Sequence, residues 1–381
     1  MWVGIVGAGF AASSHIDALR RLPEVEVVGI AGSRPERGRQ AAERFGIDRA
    51  FPDWRALVED DGIDAIHDCT PNHLHAEINS AALAARKHVL SEKPLAIDGA
   101  EGGRLVEEAA AADVVSGVCF NYRHFPLVRH LHDTLAGAEF GPVHLIHGAY
   151  LQDWLLLPTD WNWRLEAEKG GTSRAMADIG SHWLDLAQHV TGDRVTEVLA
   201  ELATVHTERL RPAGEVETFA REGTEDRTPV EVQSEDAGSV LLRFSSGARG
   251  TLTVSQVSAG WKNRLVIEVD AAEASFVWDQ EEPNRLRIGR RDEANQELPR
   301  DPGLVSPGAA SLTHYPGGHQ EGWPDALRNL FVEFYEAVRA HREGREAAPT
   351  FASFAEAHQV IRIVEAAVAS HRSGQWTKVE A

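Results

Sequence analysis

Lysine is scarce in this chain of 381 residues: five (Lys87, Lys93, Lys169, Lys262 and Lys378) stand among 38 basic side chains, so arginine carries most of the generic surface charge. Bases as a whole are outnumbered, 38 against 58 acids, for a formal charge of −20. That balance argues against nucleic acid or another polyanion as partner, because neutralising phosphates takes clustered Lys and Arg. Small anionic ligands at local sites stay open. Cysteine is nearly absent too: Cys69 and Cys119 lie in apolar strand-like runs without metal-ligand spacing and read as buried thiols in a reducing compartment. No apolar run approaches the ~18 residues of a membrane span, so no membrane partner is expected. Repeats of solenoid length are missing as well. Met1-Trp2-Val3-Gly4 begins a strand directly, which leaves no room for a signal peptide and makes a cytoplasmic location the expectation. With 43% hydrophobic and 25% charged residues, the chain has the composition of a soluble globular protein, long enough for two domains.

The first third carries the strongest pattern. Trp2 to Val6 is a short apolar run, followed by Gly7-Ala8-Gly9-Phe10-Ala11-Ala12 and a helical stretch through His15, Leu19 and Leu22. In this strand, Gly-x-Gly-x-x-Ala, helix arrangement, Gly7 permits the tight turn, Gly9 lets a pyrophosphate approach backbone N–H groups, and the small Ala12 allows close helix packing. Strand and helix then alternate. Strands are expected at Val25 to Ile30, Ala65 to Cys69, up to Lys93, and Val114 to Phe120; helices at Pro35 to Phe45, Leu74 to Ala85 and Ala100 to Ala112. Such alternation implies a parallel, doubly wound α/β sheet. After the second strand stands Ala31-Gly32-Ser33-Arg34, with no carboxylate before Glu36 to hold a ribose 2′-hydroxyl. Ser33 and Arg34 can both donate to a 2′-phosphate, which leans the reading from NAD toward NADP; stacking of Arg34 on adenine is the competing role.

Val89-Leu90-Ser91-Glu92-Lys93-Pro94 delivers one of the few lysines at a strand end. Pro94 biases Lys93 toward extended geometry, and ligands of open α/β sheets bind at the carboxyl edge. A plain surface lysine at a strand-to-loop turn would look the same in isolation. Thr70-Pro71-Asn72-His73-Leu74-His75 falls in the loop beside the expected cofactor site, with Asn72 able to cap the next helix; His73 and His75 read by themselves as polar loop residues.

Beyond Phe120 the alternation stops. A strand from Pro142 to Gln152 leads into Trp154, Asp160, Trp161, Asn162, Trp163 and Arg164, a cluster able to stack on a sugar face or close over a nicotinamide, and equally able to form an interface or a buried corner. Asp178, His182 and Asp185 are spaced i, i+4 and i+7, on one face of a helix whose neighbouring face is Trp183, Leu186, Ala187 and Val190. This can be an acid/base pair, a metal site with a third ligand, or a solvated polar face. Val195 to Leu210 suggests a strand region, and polar Arg211 to Asp236 a surface loop or insertion. Hairpin signals around Ser246-Gly247 and strands at Leu265 to Val269, Ala274 to Trp278 and Leu286 to Ile288 build an antiparallel sheet. Glu293 to Ala310 reads as loop. The segment His314 to Trp323 is rich in turn residues, and its His319 either reaches a substrate pocket or belongs to a structural loop; helices follow from about Asp325 to Arg342 and from Phe354 to Arg372.

Gly7-Ala8-Gly9-Phe10 with His15, Thr70-Pro71-Asn72 with His75, Glu92-Lys93-Pro94, Asn121-Tyr122-Arg123, Trp163-Arg164 and Asp178-Ile179-Gly180-Ser181-His182 together resemble the glucose-fructose oxidoreductase, inositol dehydrogenase and MocA-like family, across essentially the whole chain. The resemblance implies an N-terminal Rossmann domain over 1–122 and, over 123–381, a C-terminal α/β domain with a large open, mainly antiparallel sheet that supports a homodimer or homotetramer. It implies hydride transfer between NAD or NADP and a secondary alcohol of a sugar, cyclitol or glycoside. Lys93, Asp178 and His182 are then the catalytic residues. Gly7, Gly9, Phe10, Ala11, Ala12, Ser33, Arg34, Thr70, Pro71, Asn72, His75, Glu92, Lys93, Trp163 and Arg164 hold the cofactor. Lys93, Tyr122, Trp161, Arg164, Asp178, His182 and His319 meet the substrate, and no metal is assigned. In that reading His182 takes the hydroxyl proton, Asp178 orients or charges it, and Lys93 stabilises the reacting oxygen. Two alternatives use the same cofactor site: an NAD-dependent glycosidase with transient redox, and a noncatalytic dinucleotide-binding regulator.

Overall fold

The chain forms two compact units, Met1–Asn121 with Leu327–Ile361 and Tyr122–Ala326 with Arg362–Ala381, in a computed structural model that describes residues 1–137, 139–214 and 226–380. The first unit alternates β1 (Trp2–Val6), α1 (Phe10–Leu19), β2 (Glu26–Ala31), α2 (Pro35–Phe45), β3 (Arg49–Phe51), α3 (Trp54–Val58), β4 (Ala65–Asp68), α4 (Asn72–Ala84), β5 (His88–Ser91), α5 (Gly99–Ala111) and β6 (Ser116–Val118). The strands form a six-stranded sheet in the order β3-β2-β1-β4-β5-β6, parallel throughout. All residues of β4 and β5 are buried, as a sheet covered on both faces requires. The strand order reverses between β1 and β4, so their carboxyl ends open the crevice where such sheets take ligands. The short β3 and α3 escape the hydrophobic pattern because each is five residues or fewer.

The second unit contains α6 (Pro126–Ala136), β7 (Val143–Leu151), α7 (Ala167–Gly170), α8 (Ser181–Thr191), β8 (Val195–Ala203), β9 (Glu208–Pro212), β10 (Arg227–Glu231), β11 (Ala237–Phe244), β12 (Arg249–Ser255), β13 (Arg264–Ala271), β14 (Ser275–Asp279), β15 (Arg285–Gly289), β16 (Gln296–Pro299) and α9 (Pro307–Ser311). Two long helices, α10 (Trp323–Arg342) and α11 (Phe354–Ser373), and β17 (Thr377–Lys378) complete the chain. Nine strands form a sheet in the order β16-β15-β14-β13-β7-β12-β11-β8-β17; β7 and β12 run parallel and the other neighbours antiparallel. Period-2 burial puts Leu265, Ile267 and Val269 of β13 on one face with Val240, Leu242 and Phe244 of β11. Helix α8 packs there through Trp183, fully buried, whose indole N–H donates to the Val266 carbonyl at 2.9 Å. The fold class is the one expected from sequence.

Two sequence expectations need correction. The segment from Arg211 to Asp236 is not one loop: β10 pairs antiparallel with β9, and Ser234, Glu235 and Asp236 are buried, their charges met inside the protein. Residues 215–225 of that stretch lie outside the described residues. Glu293 to Ala310 contributes strand β16 and helix α9 rather than loop alone. Beside the expected division at 122, the first unit runs to Asn121 and takes up Leu327–Ile361 as well. There the apolar face of α10 carries Phe331 and Tyr335 onto His67.

Candidate active site

In the first unit the glycine loop is built by close packing. Gly7 has φ +113°, and a Cβ there would stand 2.5 Å from the Cys69 carbonyl oxygen. A Cβ on Gly9 would meet nothing within 4 Å, so the backbone is open to a ligand at that point. Gly9 is also the N-cap of α1 and offers no side-chain acceptor to the first-turn N–H groups. An open backbone and a helix N-terminus without a side-chain cap suit a pyrophosphate. Phe10 is half exposed, Ala11 partly buried, and Ala12 fully buried where α1 meets the sheet. After β2, Ser33 and Arg34 are both exposed, Arg34 forming the N-cap of α2 with Pro35 next. Glu36 turns to Arg39 at 2.8 Å.

The loops after β4 and β5 are tied to one another by histidines. His75 is not a loop residue: it sits buried in α4, with Nδ1 2.6 Å from the Pro94 carbonyl oxygen and Nε2 2.8 Å from that of Thr70. Carbonyl oxygens only accept, so the ring N–H is what ties α4 to these loops. Thr70 donates through both N–H and Oγ1 to Asp68, 3.1 and 2.6 Å away. Pro71 takes the N-cap position, and Asn72 is the first helical residue and buried, so Asn72 does not cap α4 as expected.

Glu92 joins Lys93 to a buried chain: Oε2 accepts the Lys93 N–H at 3.1 Å and Oε1 lies 3.1 Å from His15 Nε2. His15 Nδ1 meets His67 Nδ1 at 2.9 Å, and His67 Nε2 meets the Tyr335 hydroxyl at 2.8 Å. Burial alone would raise the Glu92 pKa, but the His15 hydrogen bond and the charges of His15 and Lys93 outweigh it and bring it down to about 2. Burial, with His15 alongside, pushes His67 well below its ordinary value, so His67 stays neutral. Cys119 Sγ is 3.7 Å from His15 Nε2, and both thiols are free, buried and pushed up by burial. His15, Glu92 and Cys119 thus place three potential ligand atoms within 4.8 Å of one another, an approach that hydrogen bonding already explains.

In the second unit Asp178 lies in a π-helical turn, Met176–Gly180, that precedes α8. The π turn widens the step from Asp178 into α8, which carries His182 and Asp185. Asp178 Oδ1 lies 3.2 Å from Arg164 Nε, and Oδ2 accepts from Gln256 Nε2 at 2.9 Å. His182, buried in the first turn of α8, packs edge-on against the Tyr122 ring with centroids 4.8 Å apart. Asp185 forms a buried bidentate pair with Arg123. Around His182 an uncharged network continues: Tyr122 and Tyr150 hydroxyls at 2.7 Å, Asn263 to both at 3.0 and 2.6 Å, Gln152 to Asn263 at 2.8 Å, and Trp154 Nε1 to Gln152 at 2.8 Å. Burial pushes the Tyr122 phenol up to about 12, so it remains a neutral donor.

Trp161 packs with Trp154 on the buried cluster of Leu155, Leu165 and Val232. The Arg164 guanidinium lies 4.4 Å from the centroid of the Trp163 ring. His319 is exposed and its ring folds back toward the Pro316 carbonyl, while buried Arg300 and Glu321 hold the 314–321 loop from within. Sequence reasoning passed over His67, Tyr150, Arg174, Gln256 and Asn263. A histidine inside the apolar run Ala65 to Cys69 was the one local signal; the others are ordinary polar residues until their partners are known.

The chain matches family models for the oxidoreductase family with an NAD-binding Rossmann fold over residues 1–120 and for the GFO/IDH/MocA C-terminal domain over residues 128–277. It is 32% identical to a levoglucosan dehydrogenase of Pseudarthrobacter phenanthrenivorans across 99% of this chain and 97% of the relative. A myo-inositol 2-dehydrogenase of Thermotoga maritima is 28% identical across 70% and 72%. A solved levoglucosan dehydrogenase in complex with NADH and levoglucosan superposes with a TM-score of 0.88 at 29% identity, covering 100% of this chain and 99% of that one. With glycine loop, Glu92-Lys93-Pro94 segment and open nine-stranded sheet all in place, the chain belongs to the GFO/IDH/MocA family and is an oxidoreductase with an NAD-binding Rossmann domain.

Proposed function

We propose that this oxidoreductase acts on a secondary alcohol of an uncharged sugar, anhydrosugar or cyclitol. The observation that carries the reading is the cluster around His182. Tyr122, Tyr150, Asn263 and Gln152 supply neutral donors and acceptors beside a histidine, a carboxylate and an arginine. Such a set satisfies several hydroxyls without favouring a charged ligand. The relatives named for levoglucosan and myo-inositol support the same class.

When bound, the dinucleotide supplies the hydride acceptor for the carbon being oxidised. His182 accepts the hydroxyl proton, Asp178 stabilises the charge His182 gains, and Lys93 hydrogen-bonds the reacting oxygen as negative charge develops on it. Glu92 and His75 fix the loop that carries Lys93 through the Lys93 N–H and the Pro94 carbonyl. We assign NAD as the working dinucleotide from the family's NAD-binding domain, with Ser33 and Arg34 able to admit the 2′-phosphate of NADP. The outer sheet face, with Leu241 exposed and Leu145 and Leu151 half-buried, is assigned to a homo-oligomer, which sedimentation measures directly.

The test is nicotinamide reduction with NAD and NADP against levoglucosan, myo-inositol, free sugars and glycosides. Lys93→Met and His182→Ala are expected to lose ~10²- to 10⁴-fold in turnover with dinucleotide affinity retained. Near-normal turnover in either variant removes that residue from the mechanism. Aglycone release without accumulated reduced cofactor would replace the dehydrogenase with a transient-redox glycosidase.

A further inference from the structure

Behind Asp178 lies a polar network that the proposed chemistry does not use. Arg174 and Arg209, both essentially inaccessible, converge on Oδ1 of the equally buried Asp236. Asp236 Oδ2 accepts the N–H groups of Val205 and His206 at 2.7 and 2.9 Å. Arg209 also donates to the carbonyls of Leu155, Leu157 and Asp160. Arg174 donates from Nη1 to Gln256 Oε1 at 2.8 Å, and Gln256 donates from Nε2 to Asp178 Oδ2 at 2.9 Å. The Gln256 backbone is pinned on both sides, its N–H on the Asp236 carbonyl at 2.9 Å and its carbonyl on the Leu155 N–H at 3.2 Å.

A guanidinium only donates, so Arg174 dictates which end of the Gln256 amide faces it. The oxygen must turn to Arg174, and the NH₂ is left facing Asp178. We propose that Gln256, locked by Arg174, is a positioning residue for Asp178: it presents donors only and so holds that carboxylate ionised and oriented. The inference rests on the reading of Asp178 as part of the catalytic pair.

The other groups facing Asp178 fit this role. Arg164 Nε approaches Oδ1, the Asp178 N–H donates to the Arg174 carbonyl at 2.7 Å, and the phenols of Tyr122 and Tyr150 lie within its electrostatic reach. His182 follows in the first turn of α8. Three guanidiniums (Arg164, Arg174, Arg209) stand among three carboxylates (Asp178, Glu235, Asp236), with Glu235 accepting from Ser173 Oγ and the N–H groups of Arg174 and Met176. A fourth carboxylate at position 256 would keep Arg174 on one oxygen but set the other against Asp178 Oδ2, and those two oxygens would share a proton.

The test uses Gln256→Glu, which keeps the shape, and Gln256→Met, which removes the donor, beside Asp178→Asn. Without any substrate, the melting-temperature deficit of Gln256→Glu is expected to be larger at pH 8 than at pH 5. The shared proton raises a folded-state carboxyl pKa above its unfolded value, and such a group loses stability as pH rises. Gln256→Met and the double variant Gln256→Glu/Asp178→Asn lack that dependence. In turnover, both Gln256 variants are expected to lose ~10- to 100-fold in kcat/KM, the range for a hydrogen bond to a charged group, and Gln256→Glu to move the acid limb of the pH profile upward. A pH-independent deficit in Gln256→Glu, or profiles that overlay wild type while Asp178→Asn is impaired, overturns the positioning role. Normal turnover in Asp178→Asn instead overturns the catalytic reading of Asp178 and leaves the proton-sharing result to be judged by stability alone.

Discussion

Replacing Arg123 with methionine strands Asp185 as a buried anion. In the wild type Arg123 Nε donates to Asp185 Oδ2 at 2.8 Å and Nη2 to Oδ1, with 4% and 2% of the two side chains exposed. Water cannot replace the guanidinium at that depth, so the cost is that of breaking a buried pair, about 3–5 kcal/mol. That is a large share of the ~5–15 kcal/mol by which a typical domain is stable. For a folding unit of 150–250 residues it corresponds to about 6–20 °C in melting temperature. The assay is urea unfolding followed by far-UV circular dichroism, with thermal melts alongside. The double variant Arg123→Met/Asp185→Leu is expected to recover most of the loss, because the penalty belongs to the uncompensated charge rather than to the missing attraction. An Arg123→Met protein within about 1 kcal/mol of wild type, or a double variant no better than the single one, would refute the reasoning.

Acid should destabilise the fold earlier than carboxylate titration alone requires. His67, His88 and His124 are buried; burial drives His67 well below its ordinary value, His88 to about 4 and His124 to about 3, the last helped by Arg123. With folded pKa values depressed, their contribution is complete above about pH 6.5 and declines by roughly 1.4 kcal/mol per pH unit for each histidine as pH falls toward the folded value; a melting temperature flat from pH 7 to 5 would contradict this. His15→Asn is expected to raise the Glu92 pKa from about 2, loosening the Lys93 loop and shifting the acid limb of turnover upward, with unchanged dinucleotide affinity as the control. Arg34→Ala should weaken NADP by about 1.5–3 kcal/mol, the worth of a charge-assisted hydrogen bond, with little effect on NAD; equal losses for both dinucleotides would point to adenine stacking instead.

What the sequence determined by itself was what local pattern encodes. Gly7 between an apolar run and a helix specifies a turn that no side chain permits, Gly9 leaves the next backbone open to a ligand, and β-α alternation through Phe120 specifies a parallel sheet, because hydrophobic period and turn chemistry act within a few residues. Hairpin signals around Ser246-Gly247 likewise place β11 against β12. Tertiary structure alone decided which polar groups meet. Tyr335 reaches His67 across 268 residues, and Gln256 reaches Asp178 across 78. The charged run ending in Asp236 read as solvated because its counter-ions, Arg174 and Arg209, lie elsewhere in the chain. The π turn at Met176–Gly180 was equally invisible, since it has no composition of its own. Periodicity states which face is buried; which donor satisfies which acceptor follows only once distant segments are packed, because a buried charge is tolerable only beside the partner that packing supplies.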